Sequence, residues 1–447
     1  MIELALLAAH RPGGLFARRA SGPVTVEDFL SDVAALADRL PRRGHVVNLC
    51  RDRYHFAVGF AAALCCRQVN LLPPHDTPDM LERLTIDYPD FYCLTDAESP
   101  GAAAVFEYPA ALVHAASQPV MPCFPADQPA AVLFTSGSTG RPQPHARSWG
   151  DLVNSALAAG RRLGVASFGQ ASLLGTVPHQ HSYGLESVLM LALQHGLVLH
   201  AERPFFPADV IAALAAAPRP RLLVTTPVHL RILLAQPGDM PQVDLLLSAT
   251  APLSASLARE AEVRFAASVF EIYGCSEAGQ IAARRTALTE EWRCLDGITL
   301  RQDTAGTWAS GTPIAVETVL SDEIELHGAE RFLLRGRIAD LVNIAGKRAS
   351  LAHLNHHLNA IDGVLDGVFV AADDDGDTVS RLIAFAVAPG LSADLILAAL
   401  RQRIDAAFLP RPLHLVAALP RNTLGKLPRE EIMRLLAERR RSGVQER

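Results

Sequence analysis

Short leucine-rich or β-branched runs recur along this chain, as in DQPAAVLFT, ASLLGTVPH, HGLVLHAE, PRLLVTTP, VDLLLSAT and SVFEIYG. Each ends in or near Gly, Pro, Ser or Thr, and an Ala-rich helical pattern usually follows. That alternation predicts an α/β fold with helices packed on the faces of layered sheets. Ligands of such folds collect at the strand ends. At 447 residues, 49% of them hydrophobic, the chain is long enough for two or three domains around a substantial core.

The texture changes after Gly336. LVNIAGKRASLAHLNHHLNAI reads as a strand, a glycine turn and a helix, and VFVAADD and RLIAFAVA read as two strands. ADLILAALRQRIDAAF is a further helical pattern ahead of LHLVAALPRNTLGKL. Because this tail has its own strand and helix set, a boundary is expected near Ile338 to Asp340. The large N-terminal domain would cover 1–338 and a smaller α+β domain 339–447.

Composition removes several function classes. A net charge of −6 gives no electrostatic reason to expect nucleic acid or an anionic membrane as partner. The apolar segment HFAVGFAAALCC is too short to span a bilayer, and the N-terminal MIELALLAAHRP lacks a basic flank, so neither membrane insertion nor a signal peptide is expected. Seven cysteines, none in a CxxC pair, argue against a disulfide framework or a zinc site. The cytoplasm is the expected compartment.

Chemistry enters at VLFTSGSTGRPQPH, Val132 to His145. Ser136, Gly137, Ser138, Thr139 and Gly140 could form a nest of backbone N–H groups and hydroxyls for anionic oxygens. A flexible surface loop would use the same residues, so the loop alone fits both readings. It is not a Walker loop, because GxxxxGK[ST] is absent here. Ser148 with Asp151 three residues on marks a helix start, so Arg147 is expected either to supply positive charge beside the loop or to be a solvated helix-start residue.

Five further segments follow in order: VPHQHSYGLE, SATAPLS, IYGCSEAG, RGRIADLVNIAGKR and PRNTLGKLPR. Together with TSGSTGRPQP they resemble the motifs of the acyl-adenylate-forming superfamily, over residues from about 130 to 430. The resemblance implies a reaction that joins a carboxylate to the α-phosphate of ATP with Mg²⁺ present and then passes the acyl group to a thiol. It also implies site roles. Thr135 to Gly140 would hold phosphates, with Thr250 and Ala251 of SATAPLS also at the nucleotide. Tyr273 would stack on adenine beside Gly274, Ser276 would donate to the α-phosphate, and Glu277 would hold Mg²⁺. Asp322 and Arg337 would take the ribose hydroxyls. Lys426 would be the catalytic lysine of a mobile C-terminal domain hinged at Ala339 and Asp340. His181 would close the acid pocket, with Tyr183, Thr250 and Cys275 lining it.

Departures narrow the resemblance. Gln143 and Pro144 stand where Lys-Gly is usual in the superfamily, and Ala339 stands where the hinge residue is typically Asp or Lys. Ligases of aryl polyene and xanthomonadin pigment clusters resemble TSGSTGxPxxHxKxW and GKRxSL, and this chain has HARSW and GKRASL. That similarity implies an aromatic, hydroxybenzoate-like carboxylic acid as substrate and an acyl carrier protein as thiol acceptor. An acyl-CoA ligase using an aromatic or medium-chain acid is the alternative within the class. A degenerate, non-catalytic nucleotide-binding protein is the alternative outside it.

Overall fold

The structure, a computed structural model, describes residues 2–74, 76–98, 104–114, 119–136, 142–337, 341–344, 347–371, 382–422 and 427–442. The expected alternation is present as two large sheets. The first has six strands in the order Pro142–Ser148, Pro129–Ser136, Val69–Leu72, His45–Asn48, Tyr92–Thr95 and Val105–Glu107. All its neighbours run parallel except the outer pair, in which Pro142–Ser148 folds back antiparallel on Pro129–Ser136.

The second sheet has eleven strands. Its centre is a parallel run of Ser268–Cys275, Leu245–Ser248, Arg221–Thr225, Ser172–Gly175, Val198–His200 and the N-terminal strand Leu15–Arg19. On the Ser268–Cys275 side the sheet continues antiparallel through Gly279–Arg284, Trp292–Cys294, Arg331–Arg337 and Asp322–Leu326. Leucine-rich strands without polar alternation suit this position, because helices cover both faces of a parallel sheet.

Two helices hold the sheets together. Arg53–Cys65 touches strands of both, as does Trp149–Arg162. The segment HFAVGFAAALCC therefore lies between layers, which explains an apolar surface on every side. Trp149–Arg162 begins as expected, with Ser148 and Asp151 forming a reciprocal capping box.

Beyond residue 340 a separate apolar cluster forms around Leu354, Leu358, Phe369, Ile396 and Leu400. Its sheet pairs Asp366–Ala371 with Leu382–Val387 antiparallel and adds Leu413–Leu415. Leu341–Ile344 and Lys347–Ser350 form a hairpin, not a single strand, before the helix Leu351–Asn359. That helix rests on strand Arg331–Arg337, and the Ser350 hydroxyl donates to the Arg335 carbonyl. The expected boundary at 338–340 lies outside the described residues, as do the hinge positions Ala339 and Asp340.

Candidate active site

The hairpin of the first sheet carries the loop TSGSTGRPQPH. Thr135 pairs with Gln143 and Ser136 with Pro142 at its mouth. Gly137, Ser138, Thr139 and Gly140 lie outside the described residues. Strand alternation puts Gln143, His145 and Arg147 on one face of the returning strand. Their exposure falls along that face: Gln143 is exposed, His145 is half-buried and Arg147 is 2% exposed.

Opposite stands the turn between Ser268–Cys275 and Gly279–Arg284, which presents Ser276 and Glu277. The His145 Nε2 is 3.8 Å from Glu277 Oε1, so the phosphate hairpin and the expected Mg²⁺ ligand face each other. Two glycines make the turn possible. A Cβ on Gly274 would sit 2.3 Å from the Gly279 carbonyl oxygen, and Gly279 has φ +78°. Burial, and then the Glu277 charge, push the Cys275 thiol up to about 12, so it is a neutral thiol and not a nucleophile at neutral pH.

Tyr273 and Asp322 come from strands far apart in sequence, yet the Tyr273 hydroxyl donates to Asp322 Oδ2 at 2.7 Å. Asp322 is in register with Arg337 on the neighbouring strand. Three residues assigned separately to adenine and ribose thus share one corner. Trp292 and Phe332 pack edge-on or tilted against the Tyr273 ring, 5.7 and 5.6 Å between centroids, and fix its plane.

The residues expected on the acid side follow the carboxyl ends of the parallel strands. His181 is the N-cap residue of a short helical turn, Ser182–Gly184, that continues into a π-helical stretch, Leu185–Met190. Tyr183 follows, its hydroxyl buried beside the Thr225 backbone without a well-formed hydrogen bond to any described residue. Burial and the nearby Glu271 push its pKa up, so it stays a phenol. Ser248, in register with Thr225, likewise has a buried hydroxyl with no partner among the described residues. Thr250 follows in the left-handed region at φ +77°, a strained conformation for a β-branched residue, and Ala251 is next to it.

Sequence reasoning passed over three buried polar groups beside this site. Glu186 is 1% exposed and accepts from Ser155 Oγ at 2.6 Å, Ser182 Oγ at 2.9 Å and the Gln280 backbone N–H at 3.2 Å. Arg53 is fully buried and donates to the carbonyls of His200, Glu202 and Gly175 at 2.9 Å and of Val177 at 3.4 Å. His179 Nε2 donates to the Cys50 carbonyl at 2.8 Å, and burial, then Arg53, hold its pKa down to about 3. A lone carboxylate in the apolar run GLESVLMLAL was the readable signal for Glu186. Arg147, expected beside the loop at a helix start, is instead inside the protein, with Nη2 donating to the Ala278 carbonyl at 3.2 Å.

Lys426 lies outside the described residues, as does the side chain of Arg337. The donor set present fits Mg²⁺ bound together with ATP. Glu277 offers one hard, solvent-reached carboxylate, and Mg²⁺ commonly takes one or two carboxylates and fills its shell from phosphates and water. No group of three or more His, Cys, Asp or Glu able to hold a metal occurs among the described residues.

Comparison with known proteins gives the same direction. A family model described as AMP-binding enzyme matches residues 38–323. A 4-coumarate–CoA ligase from Rhodobacter capsulatus is 30% identical over 300 residues, covering 66% of this chain and 74% of the relative. A 4-chlorobenzoate–CoA ligase from an Arthrobacter species is 24% identical over 355 residues, 69% of this chain and 66% of the relative. Among solved structures, the o-succinylbenzoate CoA synthetase of Bacillus subtilis with its acyl-adenylate intermediate superposes with a TM-score of 0.80 at 18% identity, covering 97% of this chain and 98% of that one. ATP-bound MatB from Rhodopseudomonas palustris gives 0.80 at 18% identity over 95% and 96%.

Proposed function

The chain belongs to the AMP-binding enzyme family, and from that premise we propose that it is an AMP-forming acid–thiol ligase for an aromatic, hydroxybenzoate-like acid, with a carrier-protein phosphopantetheine as thiol acceptor. In the first step a carboxylate oxygen bonds to the α-phosphorus of ATP while the bond to the β-phosphate oxygen breaks and pyrophosphate leaves. In the second, the thiol sulfur bonds to the acyl carbon, its proton is lost to solvent, and AMP departs with the electrons of the acyl–oxygen bond. Two anions must meet, so the first step needs fixed positive charge and donors aimed at the phosphates.

The observation that carries this reading is the Tyr273–Asp322 hydrogen bond, which unites the adenine and ribose residues beside the Ser276–Glu277 turn. Ser136 to Gly140 would cradle the β- and γ-phosphates and Ser276 the α-phosphate, with Glu277 holding Mg²⁺, which would supply charge neutralisation between the phosphates. Thr250 and Ala251 would border the nucleotide, and Arg337 would share the ribose with Asp322. Lys426 would reach the carboxylate and the ribose together, and the segment around Ala339 and Asp340 would let its domain turn between the two steps.

Aromatic acids are favoured by the relatives' named substrates, 4-coumarate and 4-chlorobenzoate. A hydroxyl on the ring is favoured by two buried hydroxyls, Tyr183 and Ser248, that lack a well-formed hydrogen bond among the described residues. A substrate hydroxyl would satisfy what the protein leaves unsatisfied. His181 and Cys275 would form the remaining wall. The same relatives are named for CoA, which supports free CoA as the second reading of the acceptor.

ATP–pyrophosphate exchange across a panel of aromatic and aliphatic acids tests the first step. Exchange should be strongest with small hydroxylated benzoates. ATP binding with no exchange for any acid would point to a non-catalytic nucleotide-binding protein, and exchange only with fatty acids would remove the proposed substrate. Loading of a phosphopantetheinylated carrier protein against free CoA then separates the two acceptors.

A further inference from the structure

The buried Arg147 and Glu186 meet at one backbone point. A Cβ added to Gly279 would lie 2.1 Å from Arg147 Nη2 and 3.0 Å from Glu186 Oε2, so both charged groups press on the bare Cα of that glycine. Arg147 also holds the carbonyl before it, Ala278, at 3.2 Å, and Glu186 holds the N–H after it, Gln280, at 3.2 Å. The three residues after Glu277 are therefore gripped from two sides. The Gln280 side chain adds a third tie, its Nε2 donating to Ser187 Oγ at 2.9 Å.

The same carboxylate reaches the acid side. Glu186 Oε1 accepts from the hydroxyl of Ser182, the residue directly after His181, and Oε2 accepts from Ser155 on the helix that follows the phosphate hairpin. One buried cation and one buried anion thus link the hairpin, the helix behind it, the His181 turn and the Glu277 turn. Isolated charges at such depth would be very costly, and here hydrogen bonds to the Ala278 carbonyl, to two serine hydroxyls and to the Gln280 N–H hold them.

We propose that Arg147 and Glu186 are positioning residues for adenylation: they lock the turn that presents Ser276 and Glu277 and set it against the His181 turn. The inference rests on the adenylate-forming reading above. It also gives the guanidinium a role other than a direct phosphate contact. Arg147 acts from beneath the turn, through the Ala278 carbonyl and the Gly279 Cα.

The test compares Arg147→Met, Glu186→Gln and the double variant by three measurements: affinity for Mg²⁺-free ATP, the Mg²⁺ concentration for half-maximal pyrophosphate exchange, and Tm. Positioning predicts Mg²⁺-free ATP affinity within about twofold of wild type and a Mg²⁺ half-saturation raised at least fivefold in each single variant, because a displaced Glu277 meets the metal poorly. The double variant should lose no more than the worse single one, since both act on one turn. A tenfold fall in Mg²⁺-free ATP affinity in Arg147→Met would overturn the proposal in favour of direct phosphate contact. Lowered Tm with unchanged Mg²⁺ half-saturation would overturn it in favour of simple packing. Should Arg147→Met fail to fold, Ser182→Ala reads the same latch from the Glu186 side and must show the Mg²⁺ shift. A wild-type protein that exchanges pyrophosphate with no acid would sink the adenylation reading instead, while non-additive Tm changes in the double variant would still register the lock.

Discussion

Replacing Arg53 by methionine sets two large terms against each other. The guanidinium is fully buried with no carboxylate within ion-pair distance among the described residues, and burial, with help from the Arg203 charge, depresses its pKa to about 9. A depression of that size corresponds to a charge-burial cost on the order of 5 kcal/mol, which the substitution relieves. Against that, four backbone carbonyls, those of Gly175, Val177, His200 and Glu202, lose their donor. A buried acceptor left unsatisfied costs about 1–3 kcal/mol.

With four acceptors at the middle of that range, the second term is larger, and Arg53→Met should lose about 3 kcal/mol of stability. Tryptophan fluorescence in urea is a suitable assay, because Trp149, Trp292 and Trp308 all lie before residue 340 and report only the part N-terminal to it. The C-terminal part can then unfold at its own midpoint without confusing the transition. A neutral or stabilised variant would refute the reasoning, because it would mean that the strand-end carbonyls find water or one another once the guanidinium is gone.

Three other outcomes follow from the site. His179 and His200 are held neutral by burial, with pKa values lowered to about 3 and about 4, while the unfolded chain binds protons near 6.5. The unfolded state thus carries more protons between those limits, so stability falls as pH drops from about 6.5 toward 4, by up to about 1.4 kcal/mol per pH unit for each histidine; urea midpoints at pH 7 and 5 for wild type and His200→Asn should show a smaller acid loss in the variant. Tyr273→Phe frees Asp322 from a 2.7 Å hydrogen bond, and the KM for ATP should rise roughly 5- to 20-fold with little change in kcat, in line with about 1–2 kcal/mol for one such bond; a change confined to kcat would contradict the ribose-corner assignment. Tyr183→Phe should cut the preference for hydroxylated over unsubstituted benzoate by roughly tenfold, and an unchanged ratio in exchange assays would remove Tyr183 from substrate reading.

Much of this is legible in the sequence because local pattern and tertiary role agree. The apolar runs are strands, and the turn residues after them carry the candidate site residues, since strand ends are where backbone groups and side chains converge. The capping box at Ser148 and Asp151 is readable and is present. Buried charged residues are harder to read. Glu186 is marked only by its place alone in an apolar run, and Arg53 and Arg147 pass for surface positions until neighbouring layers are known, because a propensity argument assigns charge to solvent. For Arg147 the helix that follows suggests one direction, whereas the strand that contains it decides another. Counting by two back to Gln143 puts the residue on the inward face, a step the sequence permits only once 142–148 is recognised as a strand. The pairing of Leu15–Arg19 with Val198–His200 has no local signal, as it depends on contacts across most of the large domain.

The missing loop lysine now has a physical reading that can be tested. A lysine at position 143 would place its ammonium at the hairpin mouth, in contact with solvent and salt. Here the exposed position holds an amide, the half-buried one an imidazole 3.8 Å from Glu277, and the buried one a guanidinium beneath the turn. The guanidinium lies at the inner end of this strand face, where it holds the turn and leaves the mouth without a lysine. A charge at the mouth would be screened over a Debye length that shrinks from about 10 Å at 0.1 M to about 3 Å at 1 M salt. Gln143→Lys should therefore lower the KM for ATP at low ionic strength, by roughly threefold to tenfold if one exposed contact contributes about 1 kcal/mol. That gain should vanish by about 0.5 M salt, where the variant and wild type converge. Wild-type KM should change less than the variant's over the same range. A Gln143→Lys gain that persists at high salt would refute a screened contact at the hairpin mouth, and a wild-type KM that climbs as steeply as the variant's would show that another exposed charge already meets the phosphates.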